Sequence, residues 1–304
     1  MHKVSVVIPT YNRLDTLRHV IPSLIEQTVD RAMYEIIVAD SNSTDGTAEY
    51  LAQVAREHPF VQHHPGAYTG RAMARNAGIE AARGALVLFT DADIIASRDL
   101  LEQHLAQHDA RAGIAVVGME LQVKTYDDYV HLRDDTSARR PLHPQKRKRL
   151  SWLYFLTGNA SVRKRDLDRV GRFDESFTGY GHEDLELGYR LQKAGVELVY
   201  EPRAVDYHWH PVPYAEQKSK MELAGRSTVR FYRKHPAFGV MANLGMTPLS
   251  LALHGALERL PGLRANLERA AEGEVEPRGF KRFARQVVYQ YHYVSGVKTA
   301  LRNG

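Results

Sequence analysis

The sequence contains no cysteine, which excludes disulfide staples, thiolate nucleophiles and Cys-ligated zinc. A secretory leader is not expected either. Met1-His2-Lys3 leads directly into the short run Val4-Ser5-Val6-Val7-Ile8, stopped by Pro9, whereas a leader needs a longer apolar region and a small-residue cleavage site. An intracellular, cytoplasmic protein is the expectation. No glycine-rich loop follows that first run, and the chain has neither internal repeats nor low-complexity segments. Charge is missing from two stretches. Residues 136–165 carry no acid, and residues 238–257 carry no formal charge at all.

What is present is globular. With 304 residues, 43% hydrophobic and 25% charged, the chain can bury one large core or two modest ones. Its net charge of +5 is too mild to indicate nucleic acid, and no nucleic-acid partner is expected.

Through the first hundred residues, short β-branched runs alternate with helical spacing. Residues 4–8, 35–39 and 85–89 read as buried strands, and Leu14, Leu17, Ile21, Leu24 and Ile25 recur as on a helix. Asn12 is the expected cap of that helix. Pro22 within it predicts a kink or an early end, because an interior proline costs about 3 kcal/mol. Further helices are expected from Ser43-Thr44-Asp45-Gly46-Thr47 through Ala55, and over 70–82. This order predicts an α/β fold with a mainly parallel central sheet. The basic, proline-containing segment 137–149 reads either as a solvated loop or as a lid or anion-binding edge. After Pro211 the pattern is helical. The uncharged stretch 238–257 is long enough to raise a membrane span, but Asn243, Pro248 and His254 interrupt it. A packed helical pair or an interfacial contact is the better reading.

The sharpest local feature is Thr90-Asp91-Ala92-Asp93-Ile94 after a buried strand. In extended chain, residues two apart point the same way, so Asp91 and Asp93 are expected to face one ligand together. Paired carboxylates need a cation, and Mg²⁺ or Mn²⁺ completed by phosphate oxygens suits them. Exposed turn acids are the plainer alternative. Asp40, at the end of the preceding strand, reads as a nucleobase or ribose contact, or else as a loop-capping residue. Glu183-Asp184 opens a helix, where the dipole keeps a general base ionised, or where both acids simply cap it. His208 and His210 follow a strand-like run. One becomes a credible ligand if the fold brings it to Asp93.

Together these segments resemble the family 2 glycosyltransferases, inverting enzymes with the GT-A fold. The residues that carry the likeness run in order. They are Val6-Val7-Ile8-Pro9-Thr10-Tyr11-Asn12-Arg13, the acidic loop from Asp40 to Thr47, Ala74-Arg75-Asn76-Ala77-Gly78, Asp91-Ala92-Asp93 and Gly158-Asn159-Ala160. Val170-Gly171-Arg172-Phe173-Asp174-Glu175 and Gly179-Tyr180-Gly181-His182-Glu183-Asp184 complete the series. The last stretch also looks like a β-galactosyltransferase segment, with Tyr180 where tryptophan is usual. A catalytic GT-A domain over 1–210 is implied, with a nucleotide-binding half over about 1–95 and an acceptor half over about 96–210, followed by a helical extension over 211–304.

The resemblance implies roles residue by residue. Pro9, Thr10, Tyr11, Arg13, Asp40, Arg75, Asp91, Ala92 and Asp93 would bind the donor. Asp91, Asp93 and His208 would hold Mn²⁺ or Mg²⁺, with His208 a better match than His210. Asp184 would be the catalytic base, and Glu183 would orient the acceptor. The family often carries a second acid directly after its first acidic-loop residue, where this chain has Ser41. The implied reaction is inverting, metal-dependent transfer of a hexosyl group by single displacement. It runs from a nucleoside-diphosphate sugar, UDP-linked by preference, to a hydroxyl of a glycan or lipid-linked glycan, as in polysaccharide biosynthesis. Two other readings stay open. A nucleotidyltransferase that forms sugar nucleotides is expected to show a glycine-rich phosphate loop where this chain has Pro9-Thr10-Tyr11-Asn12-Arg13. A non-catalytic sugar-nucleotide-binding protein fits poorly with an intact Asp91, Asp93 and Asp184.

The charge is unevenly divided. Residues 1–210 hold 26 basic and 29 acidic residues, net −3, and residues 211–304 hold 15 and 7, net +8. Basic charge beside an apolar stretch suits peripheral contact with an anionic membrane at its inner face, or a lipid-linked acceptor.

Overall fold

The computed structural model describes residues 3–138, 149–209, 212–273 and 278–303. His210 and most of the basic segment 137–149 lie outside the described residues. The chain forms two compact units. One comprises Met1–Thr178 and Glu183–Pro211, and the other Gly179–His182 and Val212–Gly304.

The first unit is built on a sheet of nine strands among the described residues. These are β1 (Val4–Thr10), β2 (Tyr34–Asp40), β3 (Val61–Pro65), β4 (Leu86–Phe89), β5 (Ile94–Ala96), β6 (Ile114–Gln122), β7 (Arg149–Leu150), β8 (Ala160–Arg163) and β9 (Glu197–His208). Their order is β3-β2-β1-β4-β8-β6-β9-β5, with β7 beside β9. Strands β3, β2, β1 and β4 are parallel, β8 runs antiparallel to β4 and β6, and β6 pairs with β9 in parallel. The helices of this unit are α1 (Leu14–Ile25), α2 (Thr47–Glu57), α3 (Arg71–Ala81), α4 (Leu100–Ala110), α5 (Tyr126–Asp134), α6 (Lys164–Val170) and α7 (Glu183–Lys193).

Both faces of the parallel strands are covered, which is why they read as continuous apolar runs rather than alternating ones. Val4, Val6, Ile8, Ile36, Val38 and Leu88 pack with Leu17, Ile21 and Leu24 of α1. The alternate residues Val7, Ile37, Val87 and Phe89 pack with Ala72 and Ile79 of α3 and with Leu187 and Leu191 of α7. Gly78 marks the crossing of α3 over β1. A Cβ there would collide with the Val7 side chain, so the close approach requires glycine.

The mixed α/β architecture with a mainly parallel sheet and a helical carboxyl-terminal part is as expected; three local details differ. Helix α1 runs through Pro22 to Ile25, and Glu26 N–H still donates to the Pro22 carbonyl at 3.0 Å. Asn12 does not cap α1. Its Oδ1 accepts from the Thr44 N–H at 2.8 Å, and Asp45 instead accepts from the Leu14 N–H at 3.0 Å. Strand β3, with His63 and His64 at its centre, is too polar to stand out in the sequence.

The second unit contains α8 (Tyr214–Lys234), α9 (Phe238–Asn243), α10 (Pro248–Arg259), α11 (Pro261–Ala271) and α12 (Gly279–Arg302). Helices α8 and α12 touch backbone to backbone. A Cβ on Gly225 would strike the Tyr293 carbonyl, and one on Gly296 the Glu222 carbonyl. The apolar stretch Phe238–Arg259 has span-like length and a mean hydropathy of 1.2. It is not one rod, however. Gly245, with φ +67°, breaks it, and Thr247 caps α10 by accepting from the Ser250 N–H at 3.2 Å. At 1.5 Å per residue, α10 alone extends only about 18 Å, against a hydrocarbon core of about 30 Å.

Candidate active site

A cleft of about 450 Å³ opens beyond the carboxyl ends of β1, β2 and β4, where parallel α/β sheets place their ligands. Pro9, Thr10, Tyr11 and Arg13 form one wall, and Asp91, Ala92 and Asp93 form another. Seven of the residues expected at the donor site thus share one cavity. Ser41, Tyr68, Thr69, Gly70, Arg71 and Ala74 complete the lining. Thr10 Oγ1 is buried without a hydrogen-bond partner, a group left for a ligand to satisfy. Gly70 and Arg71 bring the amino end of α3 into the wall, where the helix dipole and backbone N–H groups favour an anion. The sequence signal for that wall is the helix start directly before the Ala74-Arg75 motif.

Asp40 does not reach this cleft. Its side chain is fully buried, accepting from the Ser43 N–H at 3.1 Å and the Ser43 hydroxyl at 2.5 Å, and lying 3.2 Å from His63 Nε2. The loop after β2 uses the carboxylate for its own folding, and Ser41 stands in the wall instead.

The Asp91-Ala92-Asp93 segment is a turn, not extended chain, with the Ile94 N–H donating to the Asp91 carbonyl at 3.2 Å. The two carboxylates therefore part. Asp91 accepts from Arg75 Nη2 at 2.8 Å, while Asp93 lies 3.6 Å from His208 Nε2. Antiparallel pairing of Ile94 with His208 is what sets the second contact. On its other side, His208 Nδ1 stands 3.4 Å from Glu120 and 2.8 Å from Gln122 Nε2. Burial disfavours the imidazolium, but its hydrogen bonds to the Asp93 and Glu120 carboxylates, and their charge, outweigh that and raise His208 to about 10. Glu120 was not singled out by the sequence. It lies near the end of β6 beside β9, a placement with no local motif.

Carboxylate oxygen and neutral imidazole nitrogen are suitable donors for Mn²⁺, so the Asp93–His208 pair fits such an ion as a partial ligand set when the cation displaces the proton of His208. Among the described residues, no group of three or more His, Asp or Glu side chains has a geometry that could hold a metal ion. Asp91 is turned to Arg75 rather than to His208, so phosphate and water oxygens would have to complete the coordination.

Arg75 is likewise held by protein side chains. Its side chain is buried, and it donates to Glu183 Oε1 at 3.0 Å as well as to Asp91, while lying over the Phe173 ring at 5.6 Å. Burial works against its charge, but Asp91 and Glu183 reverse that and raise its pKa further. It lies behind the cleft wall as a bridge. Glu183 is buried too, with Oε2 unpartnered, so it faces Arg75 rather than open space.

Asp184, its neighbour at the start of α7, is partly exposed and accepts from the Leu185 N–H at 2.7 Å. Desolvation first, then the charge of Glu183, push its carboxyl up to about 7, against the pull of Arg75. A carboxylate that titrates near neutrality, and forms no salt bridge among the described residues, has the properties of a general base.

The model of the family described as glycosyl transferase family 2 matches residues 5–171. The chain belongs to that family. Residues 142–210 also match the family described as N-terminal domain of galactosyltransferase. Validoxylamine A glucosyltransferase of Streptomyces hygroscopicus subsp. jinggangensis is 31% identical over 77% of the chain and 61% of the relative. The chain spans 57 to 65% of the length of the first curated relatives it matches. Among solved structures, the mannosyltransferase PcManGT from Pyrobaculum calidifontis, in complex with GDP-Man and Mn²⁺, superposes with a TM-score of 0.65 at 22% identity, covering 99% of this chain and 87% of that one. S. aureus TarS 1–349 in complex with UDP gives 0.57 at 17% identity, over 99% and 92%. The fold is that of the GT-A glycosyltransferases.

Proposed function

We propose that the protein transfers a hexosyl group from a nucleoside-diphosphate sugar to a hydroxyl of a glycan or lipid-linked glycan, with inversion and with a divalent metal. UDP is the expected nucleotide, and GDP the alternative that the mannosyltransferase complex brings forward. The observation that carries the proposal is a chain of two ion pairs that ends beside Asp184 in the sequence. The cleft acid Asp91 is bonded to Arg75, Arg75 to Glu183, and Glu183 precedes the near-neutral Asp184 in the sequence.

In this reading the nucleotide occupies the wall of Thr10, Tyr11, Arg13 and Ser41, and its diphosphate meets the amino end of α3. Asp93 and His208 would hold Mn²⁺ or Mg²⁺, which would supply charge neutralisation for the departing nucleoside diphosphate. Asp184 takes the proton of the acceptor hydroxyl as that oxygen forms its bond to the anomeric carbon, and the bond to the diphosphate breaks on the opposite face. Arg75 and Glu183 are positioning residues that fix the cleft acid and the start of α7 to one another.

A panel of UDP-, GDP- and dTDP-sugars, scored with Mn²⁺ by thermal shift and by slow donor hydrolysis, tests the reading. One nucleotide class raising the melting temperature and being hydrolysed only with metal is the expected result. Stabilisation by no nucleotide sugar, or release of pyrophosphate from UTP and a sugar 1-phosphate, would overturn it.

A further inference from the structure

A broad apolar groove of about 890 Å³ runs over one face of the helical unit, between α10, α11 and α12. Leu249 and Leu253, Leu260 and Leu263, and Phe280 and Phe283 stand along it. Leu249 is 69% exposed and Phe280 66%, unusual for side chains of this size and grouped on one face.

Charge is distributed around this groove in a definite way. The first turns of α12 read Arg278-Gly279-Phe280-Lys281-Arg282-Phe283-Ala284-Arg285, so basic residues alternate with the exposed phenylalanines. Residues 278–304 contain six basic residues and no acidic one. Across the groove, α10 is uncharged from Pro248 to Leu257, and Glu258 and Arg259 close it, Glu258 paired with Lys298. Arg285 is used locally, donating to the carbonyls of Ala271 and Gly273 at the end of α11.

A second copy of the chain on this face would bring two basic strips together in an isologous contact, which like charge opposes. The complementary partner is a surface that is apolar inside and anionic at its rim. Helix α10 is too short to cross a bilayer, and Gly245 breaks its continuity with α9, so the apolar residues can enter only the near side. We infer that this face docks on a bilayer containing anionic phospholipid. Leu249, Leu253, Phe280 and Phe283 enter the boundary between headgroups and acyl chains, and Arg278, Lys281 and Arg282 meet lipid phosphates. This inference is independent of the catalytic reading.

The full chain is tested by co-sedimentation with vesicles of phosphatidylcholine alone and of equimolar phosphatidylcholine and phosphatidylglycerol. Binding to the anionic vesicles should be tighter by about tenfold or more, and should weaken as salt is raised. Lys281→Glu with Arg282→Glu should remove that preference, and Phe280→Ser with Phe283→Ser should weaken binding to anionic vesicles. Far-UV circular dichroism of each variant should match the parent. Equal binding to both vesicle types, no binding to either, or a dimer in light scattering that the phenylalanine variants dissolve would each overturn the inference.

Discussion

Arg75 donates to Glu183 at 3.0 Å across 108 residues of sequence, deep behind the cleft. The contact is possible because Gly78 lets α3 lie close on β1 while α7 packs on the same face of the sheet. It ties α3, whose amino end lines the cleft, to α7, whose second residue is the proposed base Asp184.

Removing the bridge should be costly. Breaking a buried ion pair by deleting one partner typically costs about 3–5 kcal/mol, because the remaining charge is stranded. Arg75→Met should lower stability by about that amount in urea unfolding, and adding Glu183→Leu should recover a large part of it. A double variant no more stable than the single one would mean that the pair does not act as a unit.

The two acids of the Asp91-Ala92-Asp93 turn should separate functionally. Asp93→Asn and His208→Gln should each weaken Mn²⁺ binding in the presence of UDP by about tenfold or more, a loss comparable to that of a metal's supporting groups. Asp91→Asn should act more on thermal stability, since Asp91 is bonded to Arg75. Mn²⁺ titration calorimetry distinguishes them, and equal losses for Asp91 and Asp93 would contradict the division. Chelation should abolish donor hydrolysis, and added Mn²⁺ should restore it.

Close packing at Gly78 predicts a further effect. A side chain there meets Val7, so Gly78→Val should cost about 1–3 kcal/mol through overpacking. Because Arg75 lies one turn away, donor affinity should fall as well. Denaturant unfolding and donor thermal shift measure the two effects separately.

The pH dependence follows from Asp184, raised to about 7 by burial and by Glu183. A base works only when deprotonated, so kcat/KM should fall about tenfold per pH unit below 7 and level off above it. The stability effect has the opposite sign. With a folded pKa above the unfolded one, ionising Asp184 disfavours the folded state, and this loss accumulates between about pH 4 and 7. Asp184→Asn should therefore gain in melting temperature relative to the parent as pH rises through that window. A constant difference would contradict the raised pKa.

The legible part of this molecule was its local order. Buried runs such as Val4-Ser5-Val6-Val7-Ile8 and helical spacing such as Leu14, Leu17 and Ile21 are set by neighbours in sequence, and they predicted the parallel strands and α1. The Asp91-Ala92-Asp93 segment at a strand end was legible because parallel sheets bind ligands there, whereas Thr10 was indicated by the family resemblance. Side-chain partners were not. Asp40 and Arg75 were assigned to the donor, but Ser43 and His63 hold one, and Asp91 and Glu183 the other. The extended geometry assumed for Asp91-Ala92-Asp93 gave way to a turn, because Ile94 has to pair with His208 on β9. Glu120 became visible only once β6 lay beside β9. Each of these depends on contacts made far along the chain.

The most direct measurement is Asp184→Asn, with donor affinity and turnover determined on the same preparation. Transfer reduced by several orders of magnitude, with the Kd of the nucleotide sugar within a few-fold of the parent, is the expected result. A loss of donor affinity as large as the loss of turnover, or transfer that persists near the parent rate, would contradict Asp184 as the base.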